Sequence, residues 1–147
     1  MSAWDSLTYF PNWQIMNKKF STEQLAFSAE GLIPAIAQDA LSGEVLMMAW
    51  MNKEAVEETL SKGQVCYWSR SRQSLWRKGE SSGQTQKLVA FRYDCDADTI
   101  LLKVEQQGVA CHTGRRSCFY NQVDNGEVAE LLPIETAPSV LYKKKEK

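Results

Sequence analysis

Long apolar runs are missing from this sequence. None reaches the roughly 18 residues of a membrane span, and Met1-Ser2-Ala3-Trp4-Asp5 lacks the basic start and apolar stretch of a signal peptide. A basic excess is also missing: the formal net charge is -1, which excludes a general nucleic-acid or membrane binder. There is no internal repeat and no linker dividing the chain, so a single domain over residues 1–147 is expected. Cysteine knuckles of the C-x₂₋₄-C type are missing as well, and with them the usual structural zinc motif. These absences predict a cytosolic location, where cysteines stay reduced and serve metals or catalysis rather than disulfides.

Histidine and cysteine are scarce, with one and four residues in the whole chain, yet they are concentrated. Cys111-His112-Thr113-Gly114-Arg115-Arg116-Ser117-Cys118 holds two cysteines, the histidine and two arginines. Cys95 lies upstream in Asp94-Cys95-Asp96-Ala97-Asp98, between alternating carboxylates. Thiolate and imidazole suit zinc, whereas a carboxylate cluster suits magnesium or calcium. The expectation is one site holding both kinds of metal for hydrolytic chemistry. The acidic stretch is not an EF-hand, because Thr99 stands where that loop needs glycine and strand-like residues follow. Cys95, Cys111 and Cys118 leave two zinc readings open. Three thiolates with an open fourth place give a catalytic site, and His112 as fourth ligand gives a closed structural one. Two further classes stand beside these: a zinc-binding interaction module, and a two-metal phosphohydrolase using the aspartates.

Pattern supplies the frame. Residues 32–38 and 44–51 read as strands around the turn Asp39-Ala40-Leu41-Ser42-Gly43. Asn52 caps a helix over Lys53–Lys62, with Glu54 early, Lys62 late and Gly63 placed to stop it. Ser21-Thr22-Glu23-Gln24 has the form of a capping box on a short helix. Residues 64–69 form a strand in which Cys66 is expected as a small buried hydrophobe. Residues 69–84 alternate hydroxyls, glycines and cations without apolar periodicity, and are expected as a long basic loop suited to phosphate. Residues 87–93 and 99–106 form two more strands, with the acidic stretch at their connection. If that stretch is extended, Asp94, Asp96 and Asp98 share one face and Cys95 points to the other. The aromatics Trp4, Tyr9, Phe10, Trp13 and Phe20 suggest an N-terminal segment packed against something, and the lysine-rich 143–147 is expected to fray.

With these residues in view, the chain resembles the phosphoribosyl-AMP cyclohydrolase family of histidine biosynthesis. The resemblance runs over about residues 31–120. It is carried by Gly31-Leu32-Ile33-Pro34-Ala35-Ile36-Ala37-Gln38-Asp39, Met48-Ala49-Trp50-Met51-Asn52, Tyr67-Trp68-Ser69-Arg70-Ser71-Arg72, Leu75-Trp76-Arg77-Lys78-Gly79-Glu80-Ser81-Ser82-Gly83, and the two metal-type motifs. It implies a predominantly β, α+β fold in an intertwined homodimer with metal sites at the subunit interface. It also implies a hydrolase that opens the adenine ring of N1-(5-phosphoribosyl)-AMP between N1 and C6, giving the formimino-aminoimidazole carboxamide ribotide. By resemblance Cys95, Cys111 and Cys118 bind zinc, and Asp94, Asp96 and Asp98 bind magnesium. Zinc lowers the pKa of a bound water to about 7, and zinc deaminases attack adenine C6 with water activated this way. His112 is the candidate proton carrier. Arg70, Arg72, Arg77, Lys78, Arg115 and Arg116 are candidates for the two phosphates. Gln84 stands where many relatives have histidine; an amide does not titrate, but it donates and accepts hydrogen bonds.

Overall fold

A computed structural model describes residues 18–141. The N-terminal aromatics Trp4, Tyr9, Phe10 and Trp13 and the lysine-rich tail lie outside the described residues. The strongest local signals come out as expected. Ile33–Asp39 (β1) and Val45–Met51 (β2) pair antiparallel across the 40–44 turn. Lys53–Lys62 is α1: the Asn52 side chain accepts from Ala55 N–H at 2.9 Å, and Gly63 closes the helix at φ 72. Such an N-cap is worth about 1 kcal/mol. The capping box at Ser21 is also present, but it starts only the 3₁₀ turn Thr22–Gln24, which ends well before Gly31.

Cys66–Ser69 (β3), Ser74–Arg77 (β4), Gln86–Tyr93 (β5) and Ile100–Gln106 (β6) complete a six-stranded sheet in the order β4-β3-β2-β1-β6-β5. Only β1 and β6 run parallel; the other neighbours are antiparallel. Along β1 the side chains of Ile33, Ala35, Ala37 and Asp39 are buried while their neighbours are partly exposed, the period-2 alternation of a strand with one face on the core. Ile33, Ala35 and Ala37 share one core with Ile100, Leu102 and Val104 of β6, Leu46 and Met51 of β2, Tyr67 of β3, and Ala55 and Val56 of α1. Fully burying a side chain such as Leu46 contributes roughly 1.5–3 kcal/mol. Asn121–Asp124 (β7) and Glu127–Glu130 (β8) form a separate hairpin through Asn125-Gly126, both at positive φ, and Pro138–Leu141 (α2) is a single turn. The α+β, predominantly β expectation therefore holds.

One expectation needs correction and one condition is not met. The basic stretch 69–84 is not a continuous loop: Ser74–Arg77 is a strand paired with β3. Cross-strand contacts account for it, with Trp76 opposite Tyr67 at 5.3 Å between ring centroids and Leu75 opposite Trp68. The acidic stretch lies at the connection of β5 and β6 as expected, but the condition that it be extended is not met. Asp94 N–H donates to Thr99 C=O and Ala97 N–H to Asp94 C=O, with Ala97 at φ 61, so the chain turns tightly between β5 and β6.

Candidate metal centre

The segment after β6 folds back on itself and docks on β2. Ala110 and Cys111 N–H donate to the carbonyls of Arg116 and Arg115, both at 3.1 Å. Gly114, at φ 88, turns the chain between them, where a Cβ would lie 1.8 Å from the Thr136 carbonyl oxygen. Cys118 N–H donates to Leu46 C=O at 2.7 Å, and the Ser117 hydroxyl to Val45 C=O at 2.7 Å. This fold-back brings the two thiols seven positions apart face to face. Burial pushes the Cys118 thiol up to about 12, helped by the charge of Cys111 and a hydrogen bond with it. Thr113 donates its hydroxyl to Cys111 Sγ at 3.1 Å. Lys78 sits beside both sulfurs: burial lowers its ammonium below the usual range, and Cys118 and Cys111 partly offset that. Two opposed sulfurs suit half of a zinc ligand set. His112 is exposed at the corner of the turn.

The three aspartates converge despite the turn, and because of it. Asp94 Oδ1 accepts from Asp98 N–H at 3.0 Å and Thr99 N–H at 3.2 Å. One ligand oxygen from each of Asp94, Asp96 and Asp98 lies within 4.8 Å of the others. Crowding splits their behaviour. Desolvation, the largest single influence on Asp94, raises its carboxyl, but hydrogen bonds from Asp98 and Thr99 together outweigh it and hold Asp94 below the usual carboxylate range, whereas hydrogen bonding to Asp96 and Asp94 holds Asp98 above it. A divalent cation relieves this repulsion, and an all-oxygen donor set suits magnesium.

Cys95 does not join the thiol pair within one chain. Among the described residues, Asp94, Asp96 and Asp98 are the only three His, Cys, Asp or Glu residues whose ligand atoms gather this closely. Cys95 precedes β6 and Cys111 follows it, so the seven residues of that strand, at about 3.3 Å each, hold them on the order of 20 Å apart. Cys95 is exposed in its turn. Cys66, by contrast, is buried on β3, and burial first, then the charge of Glu58, pushes its thiol up to about 12.

The six candidate cations divide into two groups. Arg77 makes a two-pronged contact with Glu58 at 2.8 and 2.9 Å. Arg115 donates to Leu132 C=O and Glu130 and stacks 4.0 Å from the Tyr120 ring. Arg116 binds Asp39, Glu44 and the Gly108 carbonyl. Arg70, Arg72 and Lys78 pair with no carboxylate among the described residues. Arg70 lies 4.9 Å from the Trp50 ring, and Arg72 and Lys78 line one cleft with Trp76, Ser81 and Ser82. Gly79, which also lines the cleft, packs directly on the backbone of Gln84 and Thr85, where a Cβ would lie 2.4 Å away. Sequence reasoning missed Glu58, Glu130, Asp39 and Glu44, the carboxylates that occupy the other cations; the 77-residue separation of Arg116 from Asp39 leaves no local signal.

A family model described as phosphoribosyl-AMP cyclohydrolase matches residues 47–120. The chain is 64% identical over 118 residues to the phosphoribosyl-AMP cyclohydrolase of Alkalilimnicola ehrlichii, covering 80% of this chain and 83% of that protein. It is 66% identical over 117 residues to that of Rhodospirillum rubrum, covering 79% and 82%. With the one from Magnetococcus marinus it shares 56% over 129 residues, covering 88% of this chain and 100% of the relative.

Proposed function

Because the chain belongs to the phosphoribosyl-AMP cyclohydrolase family, we propose that it hydrolyses N1-(5-phosphoribosyl)-AMP in histidine biosynthesis, as a cytoplasmic enzyme. Water adds at C6 of the adenine ring and the C6–N1 bond breaks, giving the formimino-aminoimidazole carboxamide ribotide with both phosphates retained. Among the described residues no helix is long and apolar enough to cross a membrane.

The observation that carries the metal reading is the placement of the sulfurs. Cys111 and Cys118 face each other, and Cys95 stands at the opposite end of β6 beside three converging carboxylates. A three-thiolate zinc site then takes Cys111 and Cys118 from one chain and Cys95 from a second. The same meeting brings Asp94, Asp96 and Asp98 to that site as the magnesium ligands. The β7–β8 hairpin supports a homodimer, intertwined as in the family: all eight of its strand residues are exposed, including Val123 at 72% and Val128 at 65%. Apolar side chains on a small, otherwise unpacked hairpin mark a surface that a partner covers. When bound, zinc supplies Lewis acidity that activates water, and magnesium supplies charge for phosphate or ribose oxygens.

The chain's own groups do the rest. Arg70, Arg72 and Lys78, uncommitted to carboxylates, hold the phosphates, with Ser81 and Ser82 as further donors in the cleft. His112, exposed one residue from Cys111, carries the proton to the departing N1. Incubation with phosphoribosyl-AMP tests the reading. The product should weigh one water more than the substrate, with no phosphate released. Release of phosphate instead would favour a phosphohydrolase using the aspartates, and no conversion would favour a zinc-binding interaction module.

A further inference from the structure

A chain of side-chain amides runs from Tyr67 in the core to the backbone just before the thiol loop. Tyr67, fully buried beside Cys118, donates its hydroxyl to Gln86 Oε1 at 2.7 Å. Gln86 Nε2 donates to Gln106 Oε1 at 2.8 Å. Gln106 Nε2 in turn donates to Gln107 C=O at 2.9 Å and Val109 C=O at 3.2 Å. The direction of this chain is fixed by its end. Gln106 Nε2 points among backbone carbonyls, which only accept, so its amide oxygen must face Gln86, and Gln86 must offer its own oxygen to Tyr67. From the other side Gln84 Oε1 accepts from Val109 N–H at 2.8 Å. Both backbone polar groups of Val109, its N–H and its C=O, are therefore held by glutamine side chains.

Val109 lies two residues before Cys111, and the sequence leaves room for this grip. Gly108 is at φ 66, and a Cβ there would lie 1.8 Å from Gln84 Oε1. A strand-derived network that starts at Tyr67, in the core cluster against which Cys118 packs, and ends on the approach to Cys111 is placed to set the separation of the two sulfurs. We propose that Gln84 and Gln106 are positioning residues, which clamp the Val109 peptide and so hold Cys111 at the distance from Cys118 that a metal requires. The clamp stands on its own geometry; its purpose rests on the zinc reading above. It also gives Gln84 a role that needs no titration.

The test uses the full-length protein with Gln84→Met, which keeps length and removes the acceptor, and Gln84→Glu, which keeps an acceptor for Val109 N–H. Gln84 lies at the margin of the core, so both should fold; a parallel Gln106→Met probes the carbonyl side. Two readouts are taken: amide hydrogen exchange at Val109, and zinc affinity by competition with a chromophoric chelator. In Gln84→Met, Val109 should exchange about five- to tenfold faster, the equivalent of one lost hydrogen bond. Zinc should bind roughly 10–100-fold more weakly, as when an outer partner of a metal ligand is removed. Gln84→Glu should stay within about twofold of wild type on both, the rescue expected if one acceptor matters. Unchanged Val109 exchange in Gln84→Met overturns the clamp, and faster exchange with unchanged zinc affinity overturns its positioning role. If the wild-type protein binds no zinc, the zinc reading fails and the positioning role with it, while Val109 exchange still decides the clamp.

Discussion

Arg116 is a structural tie, and replacing it by methionine separates that role from phosphate binding. Its guanidinium joins the thiol loop to the β1–β2 turn through Asp39, Glu44 at 3.4 Å and the Gly108 carbonyl at 3.0 Å. The Asp39 side chain is 10% exposed and that of Arg116 27%, so this pair is not a screened surface contact worth a few tenths of a kcal/mol. Hydrogen bonds to charged groups contribute roughly 1.5–3 kcal/mol each and are not additive. Asp39 keeps the Leu41 and Ser42 N–H donors at 2.9 and 2.8 Å, so it is not left without partners. A total loss of about 3 kcal/mol is expected on this basis. For a chain of this size that lowers Tm by about 10 °C. The assay is thermal unfolding beside steady-state kinetics, with Arg70→Met as the contrast. Arg70→Met should raise KM with little change in Tm, because its guanidinium lies over the Trp50 ring and pairs with no described carboxylate. An Arg116→Met protein that melts with the wild type but has a much higher KM would refute the assignment and return Arg116 to the phosphates.

Three further outcomes are expected. Cys111→Ala should lose zinc and activity together, measured by metal content and turnover, whereas Cys66→Ala, altering a thiol buried on β3, should keep its metal. Replacing Asp96 by Asn should weaken magnesium binding, and wild-type enzyme stripped by EDTA and given back zinc alone should recover full rate only when magnesium is added. His112→Gln should bind zinc and substrate normally while kcat falls by roughly 10²–10⁴-fold; loss of zinc in that variant would make His112 a ligand instead.

The parts of the fold that were legible are those whose signal is local. Asn52, Gly63 and the residues between them specify α1 within a dozen positions, and the alternation along β1 reports its buried face directly. β4 was hidden because four residues hold little periodicity and its two apolar side chains, Leu75 and Trp76, are adjacent. What makes it a strand is the facing Tyr67-Trp68. The β7–β8 hairpin announced itself only through Asn125-Gly126, with strand residues too polar and exposed to draw notice. At the site, the residue types were readable but not their grouping. Alternation of Asp94, Asp96 and Asp98 suggested an extended strand, whereas the carboxylate of Asp94 binds the N–H groups of Asp98 and Thr99 and closes a turn. The separation of Cys95 from Cys111 was written in the strand between them. The length of β6 keeps the three sulfurs of one chain from sharing a site, which agrees with metal sites at a subunit interface.

The most direct measurement of the shared site mixes two inactive proteins. Cys95→Ala and Cys111→Ala are co-produced with different tags, and ring opening of phosphoribosyl-AMP is followed by ultraviolet absorbance. If Cys95 of one chain completes the Cys111–Cys118 pair of another, each mixed dimer regains one intact site and loses the other. Random pairing in a two-fold dimer then gives about a quarter of wild-type activity, where either variant alone gives none. A mixture as inactive as its parents, although the mixed dimers form, would contradict the account.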